Sequence, residues 1–227
     1  MEIGVLGATG PAGRGLASRL ASVGHEVIAG SRERSRAEAS VAEVRDAWGP
    51  RVERLAAGTN ADAASARDLV VIATTWQGAV ATAVEHAHAL AGKPVVAMAN
   101  GLERVDREFR PVLPGGMSVS EAIQDAAPAA RVVAAFQHVP AASFAALDTP
   151  LESDVVICSD DDRAREVVAG LVAGIPMLRA FDGGSLANAV GIEAFAAVLL
   201  TCNLRHKGKA TLRLVGLDAN VVEERPR

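Results

Sequence analysis

The stretch Gly7-Ala8-Thr9-Gly10-Pro11-Ala12-Gly13-Arg14-Gly15 constrains the chain more than any other. It follows a short apolar run, Ile3-Gly4-Val5-Leu6, and leads into a segment where Leu16, Ala17, Leu20 and Val23 recur at helical spacing. A strand that passes through glycines at G-x-x-G-x-x-G spacing and turns at once into a helix has a physical reading. Gly7 takes the tight turn, Gly10 lets backbone approach a pyrophosphate, and Gly13 lets the helix pack close to the strand, while Pro11 suits a first helical turn. The free N–H groups of that turn then face the phosphates. Ser22-Val23-Gly24-His25 closes the helix and Glu26-Val27-Ile28-Ala29-Gly30 reads as a second strand, which completes a nucleotide-binding unit.

The end of that second strand indicates which nucleotide. An NAD-binding chain puts Asp or Glu there to hold the ribose hydroxyls, whereas this chain has Gly30-Ser31-Arg32, then Arg34 and Arg36. A carboxylate repels a ribose phosphate and a guanidinium offers it a charge-assisted fork, so NADP(H) is expected over NAD(H). The competing structural reading is a solvated basic patch neutralised by Glu33 and Glu38.

Strand-like and helix-like segments go on alternating. Residues 34–48 read as a helix broken by Gly49-Pro50, residues 51–55 as a short edge strand, residues 60–64 as a helical turn, and residues 68–73 as a buried parallel strand. Its carboxyl end carries Thr74-Thr75-Trp76-Gln77-Gly78, where open α/β sheets bind ligands, although Trp76 would equally serve the core. A helix over 79–90 holds His86 and His88 two apart, which suggests surface positions rather than ligands, and the strand 94–99 delivers Asn100-Gly101 to the same edge. Residues 104–116, charged and then rich in Pro and Gly, read as a loop with little regular structure. A helix over 120–127 and a strand over 131–136 follow, ending in Gln137-His138-Val139-Pro140-Ala141. His138 is an acid–base candidate by type and place, against a structural role in hydrogen bonding. After the strand 153–158, Asp160, Asp161 and Asp162 sit where the helix from about Arg163 needs a cap, so a metal is not inferred. Residues 177–181 return towards the sheet. A long apolar helix over 186–204, the basic run Arg205 to Lys209, a strand over 211–216 and a charged tail from Asp218 complete the chain.

The pattern predicts an α/β, Rossmann-like, doubly wound and mostly parallel sheet with a small C-terminal helical extension. Residues 1–182 would form the NADP-binding domain, and residues 183–227 would complete a second-substrate pocket and supply a dimer contact. A formal charge of −4 argues against nucleic acid, and no uninterrupted apolar stretch reaches membrane-spanning length. Two cysteines make neither a disulfide framework nor a metal cluster, and the first strand leaves no room for a signal peptide, so a cytoplasmic protein is expected. With no tyrosine and only three lysines, Tyr–Lys catalysis of the short-chain dehydrogenase type is excluded.

At this point the residues resemble a known family, the NADPH-dependent reductases of the deazaflavin coenzyme F420. The resemblance runs through GATGPAGRGLASRLASVGHEVIAGSR, TTWQGAV and VPAASFAALD, and more loosely through LANAVGIEAFAAVLLTCNLRHKGKATLRL. It implies that Thr9, Gly10, Pro11 and Ala12 hold the pyrophosphate and that Ser31, Arg32 and Arg36 hold the ribose phosphate. It further implies that Thr74, Thr75 and Trp76 line the dinucleotide, that Val139 and Ala141 lie near the nicotinamide, and that Ala210 is close to the paired rings. The implied chemistry is direct hydride transfer between NADP(H) and coenzyme F420, with orientation of two cofactors and no obligatory acid or base. A non-catalytic NADPH-binding sensor, and a reductase of another flavin or a small carbonyl compound, remain as alternatives.

Overall fold

The structure is a computed structural model that describes residues 1–218. Its strands are Glu2–Leu6 (β1), Glu26–Ser31 (β2), Leu55–Thr59 (β3), Leu69–Ile72 (β4), Pro94–Ala97 (β5), Leu102–Val105 (β6), Glu108–Pro111 (β7), Arg131–Ala134 (β8), Ser153–Ile157 (β9) and Leu178–Asp182 (β10). The helices are Pro11–Ser22 (α1), Arg34–Trp48 (α2), Asn60–Ala64 (α3), Trp76–Leu90 (α4), Val119–Ala126 (α5), Ala141–Ala145 (α6), Asp162–Ala173 (α7) and Ala189–His206 (α8).

Six strands pair in the order β3-β2-β1-β4-β5-β8, every pair parallel. Strand order reverses between β1 and β4, and it is outside that crevice that such sheets hold ligands. The core strands are apolar on both faces because helices cover both. Ile3, Val5, Leu69, Val71, Val96 and Val133 pack with α1, α2, α6 and α7, whereas Leu6, Val70, Ile72, Val95, Ala97 and Val132 pack with α3, α4 and α5. The α/β doubly wound expectation therefore holds.

Four expectations are corrected. Residues 51–55 do not form the edge strand. Gly49–Val52 wind into a 310 turn and the edge strand starts at Leu55, where the chain comes alongside Val27. The segment taken as a structureless loop contains an antiparallel hairpin, Leu102 pairing with Pro111 and Val105 with Glu108. His86 is buried rather than on the surface, while His88 is exposed. The final strand over 211–216 is absent, although that segment runs beside β9, where the Asp154 N–H donates to the Leu212 carbonyl.

The strand near residue 178 returns to β9 alone, in a two-stranded parallel ribbon joined to the main sheet by a bridge between Ala134 and Cys158. Asp161 caps α7 by accepting from the Ala164 N–H, Asp160 accepts from Leu186 and Asp162 pairs with Arg165, so the acidic triplet is fully used at the helix start. The expected tail begins at Asp218, and the remainder lies outside the described residues. By length and composition, Leu186–His206 could cross a membrane, which the sequence reading did not anticipate. Its Glu193 is nevertheless buried and bonded to the body of the protein.

Candidate functional site

The glycine loop is shaped as its residues require. Gly7 has φ +78°, a conformation open to glycine, and a Cβ there would come within 2.7 Å of the Thr74 methyl. At Gly13 a Cβ would stand 2.8 Å from the Gly7 carbonyl and 2.9 Å from Ala73, which is the close helix–strand approach expected of it. Gly10 is the N-cap of α1 and faces open space apart from the Gly7 carbonyl at 3.5 Å. No side chain caps this helix and no acid stands in its first turn, so the N–H groups beside Thr9, Pro11 and Ala12 remain available to an anion.

Ser31 ends β2 and is buried, while Arg32 and Arg36 stand exposed and make no ion pair among the described residues. Neither Glu33 nor Glu38 neutralises them. Arg34 is different, because its guanidinium pairs with Asp62 at 2.6 Å and is drawn away from the other two. The ribose-phosphate role expected of Arg32 and Arg36 is therefore open to both.

Thr74 and Thr75 follow β4, the former against Gly7. Trp76 is the first residue of α4, three residues earlier than expected, and its indole N–H donates to the Leu102 carbonyl at 3.0 Å. The aromatic ring thus fastens the helix to the β6–β7 hairpin at the edge of the crevice.

A cleft of about 180 Å³ lies beyond the loop. It brings together Ala12, Val139, Ala141 and Ala210, residues far apart in the chain, and adds Asn100, Gln137 and His138. Ala196, Leu199, Leu200 and Asn203 of α8 form its roof. Asn203 holds Ala210 in place, accepting from its N–H and donating to its carbonyl, so the chain folds back after Lys207, which has φ +52°. The floor is positioned from α1. Arg19 donates to the carbonyls of Ser143, Phe144 and Ala146 at the end of α6, and a Cβ on Gly15 would meet the Ala141 carbonyl at 2.9 Å.

His138 is buried, and its Nε2–H donates to the Ile192 carbonyl of α8 at 2.7 Å. Burial pushes its pKa below the ordinary imidazole value, against the opposing pull of that hydrogen bond. A neutral ring with its proton committed to backbone is a poor general acid. Next to this contact, Glu193 accepts from the Val119 and Ser120 N–H groups and the Ser120 hydroxyl, tying α8 to the start of α5. Burial lifts the Glu193 carboxyl above its usual value in spite of these donors. Sequence reasoning did not assign Glu193, Arg19 or Asn203 a role. The available signal was a single acid in the otherwise apolar stretch Leu186–Leu204.

The comparisons with known proteins agree with this geometry. A family description, "NADP oxidoreductase coenzyme F420-dependent", matches residues 2–101. An F420-dependent NADP reductase of Methanocaldococcus jannaschii is 34% identical over 96% of this chain and 100% of its own. The enzyme of the same description from Methanothermobacter thermautotrophicus is 30% identical, covering 96% of each chain. A crystal structure of a candidate F420-dependent NADP reductase from an Arthrobacter species superposes with a TM-score of 0.77 at 28% identity, over 92% of this chain and 96% of that one. Likeness this extensive, with the glycine loop, the strand order and the cleft all in place, means that the chain belongs to the family of F420-dependent NADP reductases.

Proposed function

We propose that the protein transfers a hydride between NADP(H) and the deazaflavin coenzyme F420. The observation that carries the reading is the single cleft in which Ala12 of the glycine loop meets Val139, Ala141 and Ala210. A dinucleotide laid along α1 from the glycine loop would bring its nicotinamide there, under the roof of α8. When bound, the nicotinamide and deazaflavin rings supply the hydride donor and acceptor.

The chain's task is then orientation. The uncapped start of α1 binds pyrophosphate, Ser31, Arg32 and Arg36 bind the ribose phosphate, and Thr74, Thr75 and Trp76 line the dinucleotide. Small apolar side chains at 139, 141 and 210 let two flat rings approach, and the apolar roof keeps water out. Holding two reactants in near-attack geometry supplies several kcal/mol towards the barrier, about 7–11 in the best-oriented cases, and needs no proton carrier. The proposed division places the NADP site in residues 1–182 and the roof over the second ring in residues 183–227.

Two further features belong to the proposal. The outer face of α8 exposes Phe195 (41%) and Val198 (51%) above an open groove of about 730 Å³ against β7. Its rim carries both signs of charge, Glu108 lying 3.5 Å from Arg205, and a self-complementary patch of this kind suits a second copy of the chain. Two free cysteines, Cys158 and Cys202, suit a reducing cytoplasm.

The test is a spectrophotometric assay with NADPH and coenzyme F420, following the deazaflavin band, with NADH and FMN as controls. NADPH-specific bleaching is expected. Tight NADPH binding without turnover of any acceptor would replace the reading with that of a sensor.

A further inference from the structure

The floor of the cleft holds two buried amide oxygens, Asn100 Oδ1 and Gln137 Oε1, with no hydrogen-bond partner among the described residues. Buried acceptors are normally satisfied, so each such exception calls for an explanation. Neither amide is free to turn over and offer its nitrogen instead. Gln137 Nε2 donates to the Ala97 carbonyl at 2.8 Å, and Asn100 Nδ2 donates to the Gln137 carbonyl at 3.1 Å. The second bond also makes the two residues immediate neighbours.

The backbone next to them is strained. Phe136 has φ +71°, an uncommon conformation for a bulky residue, and its ring is held edge-on against Phe144 with centroids 5.7 Å apart. Strain of this kind concentrates where a ligand is clamped. Here it turns the chain out of β8 and sets Gln137 in the cleft wall.

We propose that Asn100 and Gln137 are specificity-determining residues that read the carboxamide NH2 of the nicotinamide ring. The inference rests on the NADP(H) reading given above and deepens it. Two neighbouring acceptors require two hydrogens, and a primary carboxamide carries two on one nitrogen. The uracil-like ring of a deazaflavin offers one N–H flanked by two carbonyl oxygens, whose lone pairs would face the amide oxygens. The carboxamide is the complementary partner of the two.

The experiment compares binding of NADPH with that of its reduced 3-acetylpyridine analogue, in which a methyl ketone replaces the carboxamide and no hydrogen can be donated. Titration calorimetry on the full chain gives both dissociation constants. The wild-type protein is expected to prefer NADPH by about tenfold or more, the size of one to two hydrogen bonds. Asn100→Leu and Gln137→Met, made separately, should each cut that preference to within about threefold, chiefly by weakening NADPH.

No preference in the wild-type protein overturns the proposal without recourse to any variant. A preference that survives both substitutions also overturns it, as does an equal loss for both nucleotides, the mark of a structural role. A raised KM for coenzyme F420 with the preference intact would assign the amides to the second ring and refute the inference. If the wild-type protein binds NADPH with the expected preference but reduces no deazaflavin, the hydride-transfer reading fails and the amide assignment stands.

Discussion

The arginines show how much single residues can decide. Three guanidiniums follow β2, and Asp62 removes one of them by pairing with Arg34. Arg32 should therefore bear on the ribose phosphate directly, and Arg32→Glu is expected to weaken NADPH at least tenfold, since a hydrogen bond to a charged group is worth about 1.5–3 kcal/mol. NADH affinity should change little, and equal losses for both nucleotides would make Arg32 structural. His138 works in the other direction. With Nε2–H committed to Ile192 and the ring neutral, His138→Ala should lower kcat by well under a thousandfold when NADPH binding is intact. A larger loss would restore it as an acid or base. The demands of Gly7, Gly10 and Gly13 could be read from sequence because they are local to one turn. The loss of Arg34 to Asp62 could not, because the partner arrives on a different element.

Among the elements, α8 is the one whose position governs the cleft. Glu193 fixes it to α5 through both carboxylate oxygens, and nothing else buried on that helix carries charge. Glu193→Ala should destabilise the fold by about 1–3 kcal/mol, the cost of leaving buried donors unpaired, measurable as a lower midpoint in denaturant. It should also raise KM for coenzyme F420 while NADPH affinity holds, because Leu199 and Leu200 roof the cleft far from the pyrophosphate loop. Past α8, the chain is pinned by Asp154, which pairs with Arg179 at 2.6 and 2.7 Å and accepts from the Leu214 N–H. Burial alone would raise the Asp154 pKa, but Arg179, Leu214 and Arg213 together hold it below the ordinary carboxylate value. A carboxyl whose pKa is depressed by folding stabilises fully above its unfolded value, about 3.9, and loses that contribution as pH falls through the folded one. Thermal melts from pH 6 to pH 3 should show a loss that Asp154→Asn largely abolishes. The main strands and most helices were legible because their apolar runs report burial. The hairpin was not, since β6 and β7 have only four residues each and Glu103, Arg104 and Arg110 give no alternation.

For the whole molecule, the consequence of an apolar outer face on α8 is association. Sedimentation should give a dimer, and Phe195→Glu with Val198→Glu should return it to a monomer with NADPH affinity unchanged. A wild-type monomer would refute the pairing. The cleft itself was the least legible part of the protein, because Ala12, Asn100, Val139 and Ala210 become neighbours only once the sheet is wound and α8 is laid over it. One contact among these has a wider meaning. The helix that starts at the phosphate loop and the turn that walls the ring pocket touch where Gly15 meets Ala141, with Arg19 clasping them one turn further on. Two sites that share a bearing surface cannot be adjusted independently. The protein therefore gauges its nucleotide as a fixed length: a mononucleotide spans only part of the gauge, and a dinucleotide lengthened by one more phosphate overshoots it.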